Sequence, residues 1–425
     1  MHTEEVLTIS HMEDSGIAFG HGRSGGYFIP FALPDEIIIG GLPEHAENSG
    51  KVFAEILKLE KSSLERIAPP CRHFGACGGC LLQHWQRSAY ENWKRACIIE
   101  KLQAVGLNTK VHPLFSCKVH ERRTVTFSAA IHPEKLLGYN RYREHNIVNI
   151  VECPIIHEEI VALLPFLKVL HVTINALKKI RIKVNLLDNG IDVAFMDVPS
   201  LSEAQRQACI KHVLTAPILR LSVNDEIIIE KEKPFLHYGK AIVHLPPGAF
   251  LQATKKAESY MVERILQHLK KAKNTLDLFA GAGAFSFPLA ERMHVHAIEN
   301  DNAAYSALLR AATHKPLGLK SVRCEKRDLF QRPLTAKELA AYDGLVFDPP
   351  RAGAQEQAKE IAKSNLKYVV AVSCNPETFV RDVKILCDGG YHLEEIFPID
   401  QFLWSPHCEI VAFLSKRHAK VGWKL

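Results

Sequence analysis

The run Val372-Ser-Cys-Asn-Pro376 follows an apolar strand pattern, YVVAVS, and leads into a helical pattern at TFVRDVKIL. This puts Cys374 in a tight turn at the carboxyl end of a strand. A thiolate there can add to an electron-poor ring, whereas a small buried hydrophobe is the other common fate of a free cysteine. Glu409, in HCEIV, opens a second strand that is otherwise apolar. A carboxylate so placed acts as a partly buried general base with a raised pKa, or else sits in a salt bridge or solvated turn.

A second group of residues suits a nucleotide-like ligand. DLFAGAGA, residues 277–284, joins a strand to a helix, and its small residues let the backbone turn sharply. The dinucleotide fingerprint requires a third glycine, but position 286 is Ser, so that fingerprint is incomplete. Glu299, Asp328 and Asp348 each end or follow a strand pattern. Acids at the carboxyl ends of such strands can accept from ribose hydroxyls or an adenine amino group.

Cys71-x5-Cys77-x2-Cys80 forms a compact, Gly-rich cluster, and Cys153-Pro154 offers a fourth thiol. Four thiolates suit zinc or an iron–sulfur cluster. The first spacing is wider than that of usual zinc sites, which favours iron–sulfur. His73 and His84 read as structural or solvated histidines.

These groups need elements to hold them. At 425 residues the chain is long enough for about three domains, and 47% hydrophobic content supports ordinary cores. Residues 1–60 read as short strands with Gly and Pro punctuation, which predicts a small barrel. Residues 61–240 read as a mixed α+β unit carrying the cysteines, with a helical pattern from Trp85 to Leu102. From 241 to 425, strands alternate with helices and end in two consecutive strands. That rhythm predicts a doubly wound α/β sheet with an antiparallel edge hairpin. The net charge of +6 suits a nucleic acid without requiring one. Eleven cysteines without an export signal argue against a disulfide framework. The apolar stretch 160–174 is interrupted by Pro165, Lys168 and His171, so no membrane span is expected. The expected compartment is the cytoplasm.

Together these motifs resemble the bacterial RNA uracil-5-methyltransferases, the group that includes 23S rRNA and tRNA enzymes. The resemblance covers essentially the whole chain: CRHFGACGGCLLQHW, VECPI, PPGAFLQAT, DLFAGAGAFS, FDPPRAG, VSCNPETFVRD and HCEIV occur in family order. It implies a TRAM-like, OB-type RNA-binding barrel at residues 1–60 and a class I Rossmann-like methyltransferase domain at 241–425. It implies an S-adenosylmethionine site lined by Gln252, Phe279, Glu299, Asp328 and Asp348, with Phe250 near a flipped-out uracil. Cys374 matches the family nucleophile and Glu409 the family base. Cys71, Cys77, Cys80 and Cys153 match the ligands of a 4Fe–4S cluster. One departure is Ala284, where relatives often carry an Asn able to hydrogen-bond.

RNA is the implied partner, with 23S rRNA favoured over tRNA because some tRNA relatives lack the four-cysteine segment. Arg122, Arg123, Lys135, Arg141 and Arg143 are candidate phosphate contacts. No obligate protein partner is expected. The competing readings are a DNA or small-molecule methyltransferase, a non-catalytic RNA-binding protein and a nicotinamide-dependent oxidoreductase.

Overall fold

The computed structural model describes residues 3–42, 51–131, 134–314 and 318–416. Its first unit is a five-stranded antiparallel sheet. In spatial order the strands are Gly26–Ile29, Ala18–His21, Thr3–Met12, Ile37–Leu42 and Glu55–Lys61. Leu7, Ile9, Ile29 and Ile38 bury one face. Among the described residues a single parallel bridge, Phe28 to Phe53, joins the two edges of this sheet, and no longer ladder closes it into the expected barrel. Its edges meet only where the Phe28 N–H donates to Val52 and the Ala54 N–H donates to Phe28, at 2.9 and 3.0 Å. The first edge strand is four residues long, and the last is exposed along nearly its whole length.

The central unit is a seven-stranded mixed sheet covered by helices Leu164–Ile174 and Glu203–Leu214. The interrupted apolar stretch supplies the first of these helices, whose Leu167, Leu170 and Ile174 lie in the core. No helix of the described residues is long and apolar enough to cross a membrane.

The largest sheet has nine strands. Val322–Lys326, His294–Glu299, Asn274–Leu278, Gly344–Phe347 and Tyr368–Ser373 run parallel in that order. Glu409–Ser415 then pairs antiparallel with Tyr368–Ser373 and with His392–Asp400, as the two consecutive strand patterns predict. Tyr368–Ser373 is buried on both faces, which explains its unbroken apolar run. Helices Lys255–His268 and Asn302–Thr313 pack on one face. Gln355–Lys363, Pro376–Asp388 and Arg87–Ala104 pack on the other.

Earlier chain also enters this sheet. Lys110–Val111 and Phe115–Ser116 pair with His392–Asp400. Helix Arg87–Ala104 is tied to the same strand by buried Lys94, whose Nζ lies 2.7 Å from Asp400 Oδ1.

Candidate active site

The ladder registers align the proposed ligand-binding residues. Leu278 pairs with Ile298 on one side and Phe347 on the other. The next residues, Phe279, Glu299 and Asp348, therefore share one row at the carboxyl edge of the sheet. Phe279 takes φ of 62°, unusual for a bulky residue, as the chain turns into the glycine loop. Its ring centroid lies 5.5 Å from that of Phe330, two residues beyond Asp328. Glu299 organises the loop through Oε2, which accepts from the Gly281 N–H at 2.7 Å. Its Oε1 accepts from the N–H groups of Asn300 and Asp301. Asp328 Oδ1 accepts from Phe330 and Gln331 in a tight turn.

The loop fits a ligand that approaches the backbone. At Gly281, φ is +55° and a Cβ would meet nothing within 4 Å, so the space above it is open. Gly283 is required for packing, since φ is +98° and a Cβ would fall 2.5 Å from the Phe287 ring. Ser286, at the position of the missing third glycine, donates its hydroxyl to buried Asp277 at 2.5 Å. Burial pushes the Asp277 carboxyl up to about 7, with Asp348 and Glu299 adding to the rise. Ala284 is half-buried and packs against the core.

Cys374 and Glu409 meet at the end of one ladder, close enough for the Glu409 carboxylate to raise the Cys374 thiol. Ser373 pairs with Ile410, so the next step beyond this pair sets Cys374 opposite Glu409. Asn375 fixes the turn after Cys374. Its side chain caps the following helix by accepting from the Glu377 N–H, and its amide donates to the Arg351 carbonyl at 3.0 Å. The DPPR loop is thereby held against the cysteine turn. Burial pushes the Cys374 thiol up to about 11; Glu409 and Asp348 also raise it, and Arg351 opposes them.

A chain of side-chain amides links the acids. Gln252 Nε2 donates to Asp348 Oδ2 at 3.3 Å. Gln401 Nε2 donates to Gln252 Oε1 at 2.9 Å and to Glu409 Oε2 at 2.8 Å. Glu409 Oε1 has no hydrogen-bond partner among the described residues. Burial holds the Glu409 carboxyl well above its usual range, with Asp348 reinforcing the shift. Burial also pushes Asp348 up to about 7. Sequence reasoning missed Gln401, because no motif or spacing marks it.

The four cluster cysteines come together. Cys71, Cys77, Cys80 and Cys153 line one cavity of 280 Å³, with Arg122, Tyr139 and Gln83. Burial raises the thiols of Cys77, Cys80 and Cys153, and the other cysteines of the group raise each of them further. Among the described residues, no three His, Cys, Asp or Glu side chains form a group that could hold a metal ion. His73 accepts from the Val151 N–H, a structural role, and His84 is buried beside the Phe74 ring.

The expected cationic surface divides. Lys135, Arg141 and Arg143 are exposed. Arg143 stacks on the Phe53 ring of the N-terminal sheet. Arg122 lines the cysteine cavity. Arg123 does not belong to an exposed surface. It is 5% exposed, pairs with Glu258 at 2.7 Å and donates to the Gln252 carbonyl. The buried Glu258 carboxylate accounts for its inward position, which leaves no guanidinium for phosphate.

Comparison with known proteins agrees with this architecture. Residues 228–417 match the family model described as tRNA (Uracil-5-)-methyltransferase. An uncharacterised RNA methyltransferase of Mesorhizobium japonicum is 46% identical, covering 98% of this chain and 99% of that protein. The 23S rRNA (uracil(1939)-C(5))-methyltransferase of Shewanella halifaxensis is 27% identical over 97% of this chain and 96% of its own. The crystal structure of Pyrococcus abyssi tRNA (uracil-54, C5)-methyltransferase, solved with S-adenosyl-L-homocysteine, has the same fold. Its TM-score is 0.73 at 21% identity, covering 97% of this chain and 100% of that one. With its motifs, sheet order and near full-length relatives in agreement, the chain belongs to the RNA uracil-5-methyltransferase family and is an S-adenosylmethionine-dependent RNA methyltransferase.

Proposed function

We propose that this enzyme methylates carbon 5 of a uridine in 23S rRNA through a covalent bond between Cys374 and carbon 6. The observation that carries this reading is the opposition of Cys374 and Glu409 one step beyond the Ser373–Ile410 pair. It supports a nucleophile and a base close to the same ring, as addition at carbon 6 and later proton removal at carbon 5 require.

The ionised Cys374 sulfur forms a bond to carbon 6, and the displaced electron pair moves towards O4 as an enolate. Bound S-adenosylmethionine supplies the methyl group on a cationic sulfur, whose charge favours ionised Asp348 and Glu409. Carbon 5 would take the methyl group as its bond to the donor sulfur breaks, which leaves neutral S-adenosyl-L-homocysteine, and Glu409 then takes the carbon 5 proton. The C5=C6 bond re-forms as the Cys374 thiolate leaves. Gln252, Phe279, Glu299, Asp328 and Asp348 bind the methyl donor. Phe250, 76% exposed, offers a ring face to the extruded base.

Preference for 23S rRNA over tRNA rests on the four-cysteine segment and on the near full-length similarity to a 23S rRNA enzyme. Lys135, Arg141 and Arg143 supply phosphate contacts, with the N-terminal sheet as a second surface. Presenting 5-fluorouridine-substituted 23S rRNA and tRNA fragments in parallel tests the reading, since fluorine cannot leave as a proton does. A denaturation-resistant adduct on the 23S fragment is expected. An adduct on tRNA alone would transfer the assignment to tRNA. Its absence on both, with the methyl donor bound, would remove the covalent mechanism.

Cys71, Cys77, Cys80 and Cys153 hold a 4Fe–4S cluster that ties their two segments together. The four thiols line one shared cavity, and the wide first spacing, Cys71-x5-Cys77, supports a cluster over zinc. Protein purified without oxygen should carry iron and inorganic sulfide in equal amounts. Zinc, or no metal at all, in folded and active protein would overturn the assignment.

A further inference from the structure

We propose that Gln401 is the positioning residue for Glu409: it fixes which carboxyl oxygen receives the carbon 5 proton and links that carboxyl to the Gln252–Asp348 arm. The inference rests on reading Glu409 as the base.

The direction of the amide is determined by its surroundings. Gln401 is 2% exposed, and its Oε1 accepts from the Ala253 N–H at 3.0 Å. The nitrogen end must therefore face Gln252 Oε1 and Glu409 Oε2, which take its two hydrogens. A flipped amide would set oxygen against both acceptors and nitrogen against an N–H. Gln252 is directed in turn, with its oxygen filled by Gln401 and its nitrogen donating to Asp348. Both acids thus accept from amides that cannot reverse.

This arrangement differentiates the two oxygens of Glu409. Oε2 is occupied as an acceptor, as suits the carbonyl oxygen of a neutral carboxyl group. Oε1 is unpartnered, and it is the atom that carries and exchanges the proton. When Glu409 ionises, the Gln401 donor stabilises the charge on Oε2 while leaving Oε1 free to act. Asp348 and Cys374 face Glu409 from neighbouring strand ends, and Cys408 directly precedes it in the chain. Arg351 faces Cys374 and is the nearby cation. None of these supplies the directed donor that Gln401 does.

The test compares Gln401→Met and Gln401→Glu with the parent enzyme. Gln401→Met removes both donors, whereas Gln401→Glu keeps the shape and the acceptor for Ala253. Covalent adduct formation on 5-fluorouridine RNA, which precedes the work of Glu409, should proceed within twofold of the parent rate. Turnover on ordinary RNA should fall roughly tenfold or more. Its pH profile should move to higher pH, at unchanged KM for RNA, and the methylated covalent intermediate should accumulate. Unchanged turnover and pH profile, or equal slowing of adduct formation, would overturn the role; the second result marks general damage to the site. Glu409→Gln separates the two levels of the argument. If it resolves the intermediate at the parent rate, the reading of Glu409 fails. If it accumulates the intermediate and neither Gln401 variant does, only the present inference fails.

Discussion

A Cys374→Ala variant is expected to lose methyl transfer by about four orders of magnitude or more, the scale seen when an enzyme loses its covalent nucleophile. No 5-fluorouridine adduct should form, while S-adenosyl-L-homocysteine should bind as before, measured by calorimetry. The thiol is half-buried and ends a strand without contributing to the core, so the fold should tolerate alanine. Neighbouring Cys408 is not a substitute nucleophile. It is buried, and its Sγ is directed at the carbonyls of Ile399 and Glu409. Cys408→Ala should therefore still form the adduct. The thiol pushed up to about 11 sets the pH dependence. Below that value the thiolate fraction grows about tenfold per pH unit, so adduct formation should accelerate about a hundredfold between pH 7 and 9. A Cys374→Ala enzyme within tenfold of the parent rate would exclude the covalent route.

The parallel part of the large sheet was legible because its strands are buried on both faces. GLVF and YVVAVS read as unbroken apolar runs, and the chemically distinctive residues follow directly at their carboxyl ends. The row made by Phe279, Glu299 and Asp348 follows from that rhythm. Partners distant in sequence were not legible. Arg123 looked like a surface cation because a sequence reports charge but not the Glu258 carboxylate 135 positions away. Lys110–Val111 and Phe115–Ser116 have two residues each, too few for any periodicity. Residues 1–60 gave the strands correctly, but closure into a barrel depends on how the two edges meet, which alternation does not encode. Gln401 is a polar residue in a loop, and only its three buried partners distinguish it.

The loop between Asp400 and Glu409 carries Gln401, and it is gripped from outside the methyltransferase segment. Trp404 takes φ of 60°, a costly conformation for so large a residue, and both of its backbone groups are held. Its N–H donates to the Tyr90 hydroxyl, and its carbonyl accepts from Leu81 and Leu82, directly after Cys80. The cysteine segment and the loop that ends in Glu409 are thus one packed unit, with Cys80, Leu82, Leu403 and Trp404 in the same core.

Lys94 is the central fastening of that unit. It is 2% exposed, pairs with Asp400 and also donates to the His407 carbonyl at 2.7 Å. Lys94→Met keeps the length of the side chain but leaves the Asp400 carboxylate buried with only the Tyr90 hydroxyl. The expected loss is about 3–5 kcal/mol of folding stability, because one partner of a buried ion pair remains uncompensated. Chemical denaturation measures it directly. Adding Asp400→Asn removes the stranded charge, so the double variant should be more stable than Lys94→Met alone. A single variant as stable as the parent, or a double variant with no recovery, would show that the pair does not hold the loop. The His407 carbonyl loses its donor in both variants, whatever the charge on Asp400. Turnover measured well below the unfolding temperature should therefore remain depressed in the double variant, even where stability recovers. Stability and the placement of Glu409 would then be separable properties of the same lysine, one carried by its charge and the other by its hydrogen bond to the His407 carbonyl.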